Sequence, residues 1–273
     1  MKMISRKLSF RKFTGFLMAA IALTTFASCS DDDSQNDKNA RVVVHMTDAP
    51  GNYDAVFVDV VDVMIKADAT ASDDAGWTSL GGIRTGVYDL LSLTGGVTQL
   101  LADAEVPAGP LGQIRLVLGN NNTVVIDGET QPLSTPSAQQ SGLKLKVNQT
   151  LEAGEMYEFL LDFDVDQSIV TAGSSGGFIL KPVIRLAAME GTGTITGEVQ
   201  PSLEVSHVKA ANSVNTISAY TDANGNFSLN GVPAGTYQIT VTPKAGLGLS
   251  VKTVNNVIVA SGATVDLDVI FVD

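Results

Sequence analysis

Short apolar stretches separated by turn residues make up the chain from Arg41 onward. The stretches are rich in Val, Ile, Leu, Thr, Tyr and Phe, and Gly, Asn, Asp and Pro punctuate them. This pattern is typical of antiparallel β-sheet. It predicts a first strand at residues 42–46, a turn at 48–51 that closes this strand, and a longer strand at 56–65.

Two local patterns refine this prediction. Residues 119–122 (Gly-Asn-Asn-Asn) lie between the apolar stretches 114–118 and 123–126, which predicts a β-hairpin. Residues 97–102 have the only helix-like pattern, about two turns long. A β-sandwich explains the other elements best.

The sheet pattern is interrupted at residues 187–193, which include two glycines. We therefore predict an all-β chain with two β-sandwich domains in tandem, at residues 40–187 and 194–273, joined by a linker at 188–193. The second part has about 80 residues and seven short predicted strands, which suits a small sandwich.

The first 28 residues have the three parts of a secretory signal. Five basic residues and no acidic residue precede an apolar run at 13–26. This run is shorter than the ~20 residues that span a bilayer. The tetrapeptide at residues 26–29 ends in Cys29 and resembles the lipobox of bacterial lipoproteins. This resemblance implies acyl chains on Cys29 that anchor the protein to a membrane; the alternative is an incidental thiol near a cleavage site.

Ser30, Asp31, Asp32 and Asp33 follow Cys29 directly. They resemble the signal that sends Bacteroidetes-type lipoproteins to the outer face of the outer membrane, which implies a lipid-anchored, surface-exposed protein. The alternative is that residues 29–39 form only an acidic, disordered tether, since they lack an apolar period.

Charge and cysteine content exclude some classes of function. The whole chain carries −12, and removal of the five basic residues of the signal leaves −17. Such a charge repels phosphate backbones, so nucleic acid is excluded as a partner. Cys29 is the only cysteine, so no disulfide can form within the chain.

Several phrases between residues 40 and 187 carry a family resemblance. They are the segments 47–51, 87–91, 113–118, 141–145, 161–164 and 179–185. On these phrases the first part resembles the bacterial domain-of-unknown-function family numbered 4382. The resemblance implies no particular activity.

The segment 221–229, followed by 231–237, resembles the central phrase of the carboxypeptidase regulatory-like domain. That resemblance implies a transthyretin-like, seven-stranded sandwich whose fold relatives bind carbohydrate. The residues of the phrase are explained by the fold: Asn224 and Gly225 suit a tight turn, and Phe227 and Leu229 point to one face.

Three carboxylates are the first candidate for chemistry. Asp162, Asp164 and Asp166 alternate with apolar residues, so on a strand they would share one face. Their oxygens could contribute to a Ca²⁺ site. The alternative, which we prefer, is a solvent-exposed strand face without a metal.

Other candidates have simpler explanations. Asp222, Asn224 and Asn226 have the spacing that opens an EF-hand loop, but the rest of that motif is missing, so a hairpin turn is expected. Residues 173–177 fit G-x-S-x-G but lack a following helix and a nearby His, so a hairpin tip is expected. His45 and His207 are too few for a zinc site. The remaining candidates are aromatic residues that form either a sugar-stacking platform or part of the core: Phe57, Tyr53, Trp77 and Tyr88.

The sequence therefore predicts a surface-anchored, non-catalytic lipoprotein that uses no cofactor and binds an extracellular ligand such as carbohydrate, at residues that the sequence does not identify. One alternative is a structural or accessory subunit of an outer-membrane assembly, such as a pilus or uptake complex, whose partner is an outer-membrane protein. Another is a hydrolase with an unrecognised acidic site.

Overall fold

The structure is a computed structural model. It describes residues 38–273 apart from residues 50, 52, 69, 71–74, 137–141 and 174–175. Cys29 and the acidic stretch from Ser30 to Asp33 lie outside the described residues. Within the described ranges, no helix has the length and apolar character needed to cross a membrane.

The first module contains thirteen strands in its described part. They are β1 (Asn39–Ala49), β2 (Ala55–Lys66), β3 (Thr78–Ser79), β4 (Gly86–Asp89), β5 (Gln99–Pro107), β6 (Gly109–Leu118), β7 (Thr123–Ile126), β8 (Glu129–Ser134), β9 (Leu143–Leu151), β10 (Met156–Asp164), β11 (Ile169–Ala172), β12 (Gly177–Leu180) and β13 (Ile184–Ala188).

These strands form two sheets. One has the order β13-β10-β1-β5, and the other has the order β11-β12-β8-β7-β2-β6-β9, with β3 and β4 also paired to β2. Because strand side chains alternate between faces, Val42, Val44 and Met46 of β1 all point into the space between the sheets, where each is fully buried. The core of this module lies between the two sheets.

The second module contains the seven strands that the sequence predicts. They are β14 (Thr192–Gln200), β15 (His207–Ala211), β16 (Thr216–Tyr220), β17 (Asn226–Pro233), β18 (Gly235–Thr242), β19 (Lys252–Val259) and β20 (Thr264–Phe271). They form a three-stranded sheet, β17-β14-β20, and a four-stranded sheet, β16-β15-β18-β19. A separate apolar core around Tyr237 lies between them, so the prediction of tandem sandwiches is confirmed.

The predicted hairpin at 119–122 is wrong. Phe57 of β2 pairs with Asp89 of β4 and with Thr123 of β7, and Val60 pairs with Gly86 of β4 and with Leu118 of β6. Strands β6 and β7 therefore both lie on the β2 edge opposite β4, one after the other. Asp59 and Asn122 hold the intervening loop: Asn122 Oδ1 accepts from the Asp59 N–H at 2.8 Å.

The helix predicted at 97–102 is also wrong. This segment enters β5, where Leu100 pairs with His45 and Ala102 pairs with Val44 of β1. Pairing with a buried central strand outweighs a weak local helix propensity. Two helical turns among the described residues lie elsewhere: a 3₁₀ turn at Leu90–Leu93 and the one-turn helix α1 at Val165–Ser168.

The break in sheet pattern between the modules is shorter than predicted. Strand β13 continues to Ala188 and β14 starts at Thr192, so three residues lie between the strands instead of the whole segment 188–193. The domain boundaries at 40–187 and 194–273 stay a prediction.

Three strands at the ends of the described sheets are interrupted by β-bulges. Asn148 of β9, Asn256 of β19 and Asp268 of β20 have positive φ values of 58°, 59° and 52°. Each lies where the pairing register shifts by one residue. Bulges twist an edge strand and make it a poor template for an added strand.

Candidate functional site

The three carboxylates proposed from the sequence do not share one strand face. Asp162 and Asp164 belong to β10, but Asp166 lies in α1. Asp162 is mostly buried, with 12% of its side chain exposed, and its Oδ2 lies 2.8 Å from Nη2 of Arg185. The interpretation as a solvent-exposed face is therefore wrong for Asp162. No group of three or more potential metal ligands suits an ion in the described part of the chain.

Arg185 connects the two modules. From β13 of the first module, its Nη2 donates to the carbonyl of Asn230 at 2.8 Å and its Nη1 donates to the carbonyl of Gly231 at 2.9 Å. Its Nε and Nη2 also donate to Asp162 Oδ2. The guanidinium of Arg185 therefore has a structural role, since it links the two modules by hydrogen bonds. We call the contact of Arg185 with Asp162, Asn230 and Gly231 the clamp.

Glycines allow the modules to approach closely around the clamp. Gly231 has φ +61°, and a Cβ there would lie 2.8 Å from the Cβ of Ala187. A Cβ on Gly96 of the first module would lie 2.7 Å from the Cβ of Ser228 in the second. Backbone meets backbone or short side chains at both points, so these positions need glycine.

A cleft of about 240 Å³ lies beside the clamp. Its lining comes from both modules and includes Ala188, Thr192, Asn215 and Ile217. The volume is below the ~300–1,000 Å³ typical of small-molecule sites. We interpret the cleft as imperfect packing between the modules.

Asp48 is a buried acid that the sequence interpretation missed. It was expected in a turn, but it lies in β1 and is 3% exposed, and its carboxylate has no well-formed hydrogen bond, with only the Val165 backbone N–H placed to lower its pKa. Burial raises the pKa of Asp48 well above its ordinary value, and the charge of Asp162 raises it further. A signal was present, since Asp48 continues the two-residue period of Val44 and Met46.

Asp164 and Asp166 lie near aromatic residues of the second module. Asp164 caps α1, because its Oδ1 accepts from the Gln167 N–H at 3.0 Å. Burial lowers the pKa of His207, and the charges of Asp164 and Asp166 partly oppose this. The ring of His207 lies 4.9 Å from that of Tyr220. The negative charges of Asp164 and Asp166 therefore act on a half-buried histidine of the second module.

The loop at Asp222 is not a hairpin turn. It joins β16 and β17, which belong to different sheets. Asp222 Oδ1 accepts from the backbone N–H groups of Asn224 and Asn226 at 2.9 and 2.8 Å. Asp222 therefore organises a crossover, while Phe227 and Leu229 point into the core, as expected.

The remaining sequence candidates do not converge on one site. β11 and β12 pair antiparallel around residues 173–177, which confirms the hairpin, although Ser174 and Ser175 are not described. His45 Nε2 lies 3.3 Å from Glu158 Oε1, whereas the ring of His207 packs against that of Tyr220.

The four aromatic candidates do not form one platform. Tyr53 and Tyr88 pack against the first core. Trp77 stacks on Arg115, with 4.0 Å from the guanidinium carbon to the ring centroid. Lys66 lies beside the same Trp77 ring. Phe57 is nine residues from Lys66 along β2, or about 30 Å, so it lies far from this group.

The outer side of the β17-β14-β20 sheet is the best candidate for ligand contact. The register places Thr196 between Ser228 and Asp266, and Glu198 between Asn226 and Val269. Because alternate residues share a face, these side chains all point away from the core. We call this surface the open face; its members are Thr196, Glu198, Gln200, Asn226, Ser228, Asp266, Val269 and Phe271.

Polar groups cover most of the open face, and one aromatic ring lies at its edge. Gln200 Nε2 donates to Glu198 Oε1, and Asp266 Oδ1 accepts from the Asp268 N–H at 3.1 Å. Phe271 pairs with Gln200 and is 65% exposed. The first module borders the face where Gly96 meets Ser228. Hydroxyls, amides and carboxylates beside an exposed ring can hydrogen-bond and stack against a polar ligand.

The architecture defines a chain of two β-sandwich modules, neither of which presents a catalytic constellation among the residues described. Residues 39–182 match the family described as "Domain of unknown function (DUF4382)", and the chain belongs to this family. Residues 192–271 match the carboxypeptidase regulatory-like domain. Neither family description names a catalytic activity. No curated protein matches the chain.

Several solved structures are distantly similar. A chain of a type II cohesin–X-dockerin complex from Acetivibrio cellulolyticus is 23% identical over 29% of this chain, with a TM-score of 0.25, and the match spans 56% of that chain. The TIE protein of Bacillus anthracis is 11% identical over 86% of this chain and 34% of its own length, with a TM-score of 0.24. Shaft pilin SpaA of Lactobacillus rhamnosus GG is 10% identical over 86% of this chain and 96% of its own, with a TM-score of 0.22. These likenesses are too distant to assign a function.

Proposed function

We propose that this protein is a surface-anchored, non-catalytic lipoprotein that binds an extracellular glycan on the open face of its second module. The observation that carries the proposal is the open face itself. Strand geometry aligns its hydroxyl, amide and carboxylate groups in rows on a rigid sheet, and the exposed ring of Phe271 lies at one end.

The proposed location, anchored at the cell surface, is supported by the sequence. Cys29 follows a lipobox-like segment, and Ser30 to Asp33 resemble an outer-surface export signal. Two or more acyl chains hold a protein stably on a membrane. Intact-mass analysis of the native protein tests this part: we expect acyl mass on a chain that begins at Cys29, and a Cys29→Ala variant that is no longer retained by membranes.

Glycan binding is expected to be weak at a single site. A hydrogen bond to a sugar replaces one to water, so each contributes only about 0.5–1.5 kcal/mol. Stacking adds to this: covering on the order of 60 Å² of the Phe271 ring at about 25 cal/mol/Å² contributes about 1.5 kcal/mol, or roughly tenfold in affinity. Many copies on one surface would increase retention further.

The test is a panel of insoluble and soluble polysaccharides, assayed for protein retention and for released reducing ends. We expect retention without release, and a roughly tenfold loss of affinity in Phe271→Ala. Ile258→Ala is the matched control, because Ile258 is 69% exposed on β19 of the other sheet. Equal losses in both variants would contradict a role for the open face.

The same panel separates the alternatives. Released reducing ends would place the protein among hydrolases. Retention on no glycan together with a co-purifying outer-membrane protein would favour an assembly subunit. The bulges in β9, β19 and β20 weigh against assembly by strand addition at those edges.

A further inference from the structure

The open face carries two carboxylates on neighbouring strands. Asp266 of β20 pairs with Thr196 of β14, and Glu198 lies two residues further along β14 on the same face. With strands about 4.8 Å apart and a two-residue repeat near 6.6 Å, the two residues are about 8 Å apart. A ligand group between them would lie within a few ångströms of both carboxylates.

No lysine of the second module balances these charges. Lys209 and Lys252 lie on strands of the other sheet, and Lys244 Nζ lies 3.3 Å from Glu204 Oε2. Arg185, which contacts this module at the clamp, is engaged by Asp162 and two carbonyls. Among the residues that the structure describes, the open face is therefore acidic without a cation of its own.

An aromatic ring adds a second preference for positive charge. Phe271 lies two residues from Val269, which pairs with Glu198, so the ring is on the same face as the carboxylates. The face of an aromatic ring attracts cations within about 6 Å. A sugar that stacks on Phe271 would place its substituents beside Glu198.

We infer that the open face selects glycans whose sugars carry protonated amino groups, such as glucosamine chains, over N-acetylated and acidic glycans. This inference rests on the proposed function and names the ligand class for the same surface. Uronate or sulfate groups would face Glu198 and Asp266 as like charges, which disfavours them.

The size of the preference follows from exposed ion pairs. Each such pair changes affinity by about two- to fivefold at low ionic strength. The preference is sensitive to salt, because the Debye length falls to about 4 Å at 0.5 M. Stacking and neutral hydrogen bonds depend far less on salt, so the two contributions can be separated.

The probes are chitosan and chitin oligosaccharides of equal length, with an oligogalacturonate as the acidic comparison. Binding is measured at about pH 6, above the reference pKa of side-chain carboxylic acids, at low salt and at 0.5 M NaCl. We expect the chitosan oligomer to bind severalfold more tightly than the chitin oligomer at low salt, an advantage lost at high salt, and no binding of the oligogalacturonate.

Isosteric variants locate the effect. Glu198→Gln and Asp266→Asn should each reduce the chitosan advantage about two- to fivefold and leave chitin binding nearly unchanged. Glu105→Gln is the matched control, because it removes the same charge from an exposed position on β5 of the first module. Circular dichroism confirms that each variant folds. Phe271→Ala should weaken both oligomers, and the chitosan oligomer more, because the ring also attracts its cations.

Failure of the inference is distinguishable from failure of the proposed function. Equal binding of chitosan and chitin, preference for the oligogalacturonate, or equal effects of Glu105→Gln and Glu198→Gln would overturn the amino-sugar preference and leave glycan binding in place. Binding of none of these probes and of nothing in the polysaccharide panel would overturn both.

Discussion

Replacing Arg185 by Met tests whether the clamp couples the two modules. The substitution keeps much of the apolar stem but removes the donors that reach Asp162, Asn230 and Gly231. Asp162 would keep its position on β10 without its partner. The two carbonyls of the second module would lose charged donors as well.

The expected cost follows from burial. Only 12% of the Asp162 side chain and 27% of the Arg185 side chain are exposed. Removing one partner of a fully buried ion pair costs about 3–5 kcal/mol. Because Arg185 is partly exposed, we expect about 2–4 kcal/mol. Burial raises the pKa of Asp162 more than Arg185 lowers it, so protonation of Asp162 can reduce this cost at low pH.

The assay uses urea unfolding followed by two probes. Trp77 is the only tryptophan and lies in the first module, so its fluorescence reports on that module, while circular dichroism reports on both. In the wild type we expect coincident transitions. In Arg185→Met we expect separate transitions and a defect that is smaller at pH 5 than at pH 8.

Arg41→Met is the control, because Arg41 also pairs with an aspartate, Asp103, but that pair is more exposed, with 54% of the Arg41 side chain and 34% of the Asp103 side chain accessible. We expect a much smaller effect there. Separate transitions already in the wild type, or equal effects of the two variants, would refute the role of the clamp.

Three further predictions concern the buried acid, the close approach and the boundary. Asp48→Asn should stabilise the protein by about 1–3 kcal/mol at pH 8 and less at pH 5. Because the pKa of Asp48 is raised in the folded state, that state binds more protons than the unfolded state, and wild-type stability falls as pH rises above about 3.9. The same pH dependence of urea unfolding in the variant and the wild type would contradict this. Gly231→Ala should lower Tm more than Gly246→Ala, because both positions have positive φ but only Gly231 also meets Ala187; equal shifts would mean that backbone strain alone matters. Fragments 40–187 and 191–273 should each melt cooperatively, because each module has its own core; loss of cooperative melting in both would indicate a shared core.

Much of the second module could be predicted because local and global patterns agree there. Alternation places Phe227 and Leu229 in the core, and Gly225 has the positive φ (91°) that its turn requires. All seven strands are short and separated by turn residues. When each local preference agrees with the fold, the pattern along the chain is sufficient.

The errors in the first module arise where distant pairing decides the structure. The segment 119–122 has the composition of a hairpin turn, but β2 pairs with both flanking strands and leaves them end to end. Residues 97–102 have a helix-like period, but β1 provides an edge for pairing. Strand partners far apart in sequence are not encoded in a local window, so these outcomes could not be read from it.

The candidate site was hidden for a related reason. A cluster of acids stands out in a sequence, and for that reason Asp162, Asp164 and Asp166 were the first candidate site. In the structure Asp162 is committed to the clamp and Asp164 to capping α1. The open face has no motif, because its members come from three strands in register. A surface assembled by sheet geometry from ordinary polar residues becomes visible only once the pairing of β14 with β17 and β20 is known.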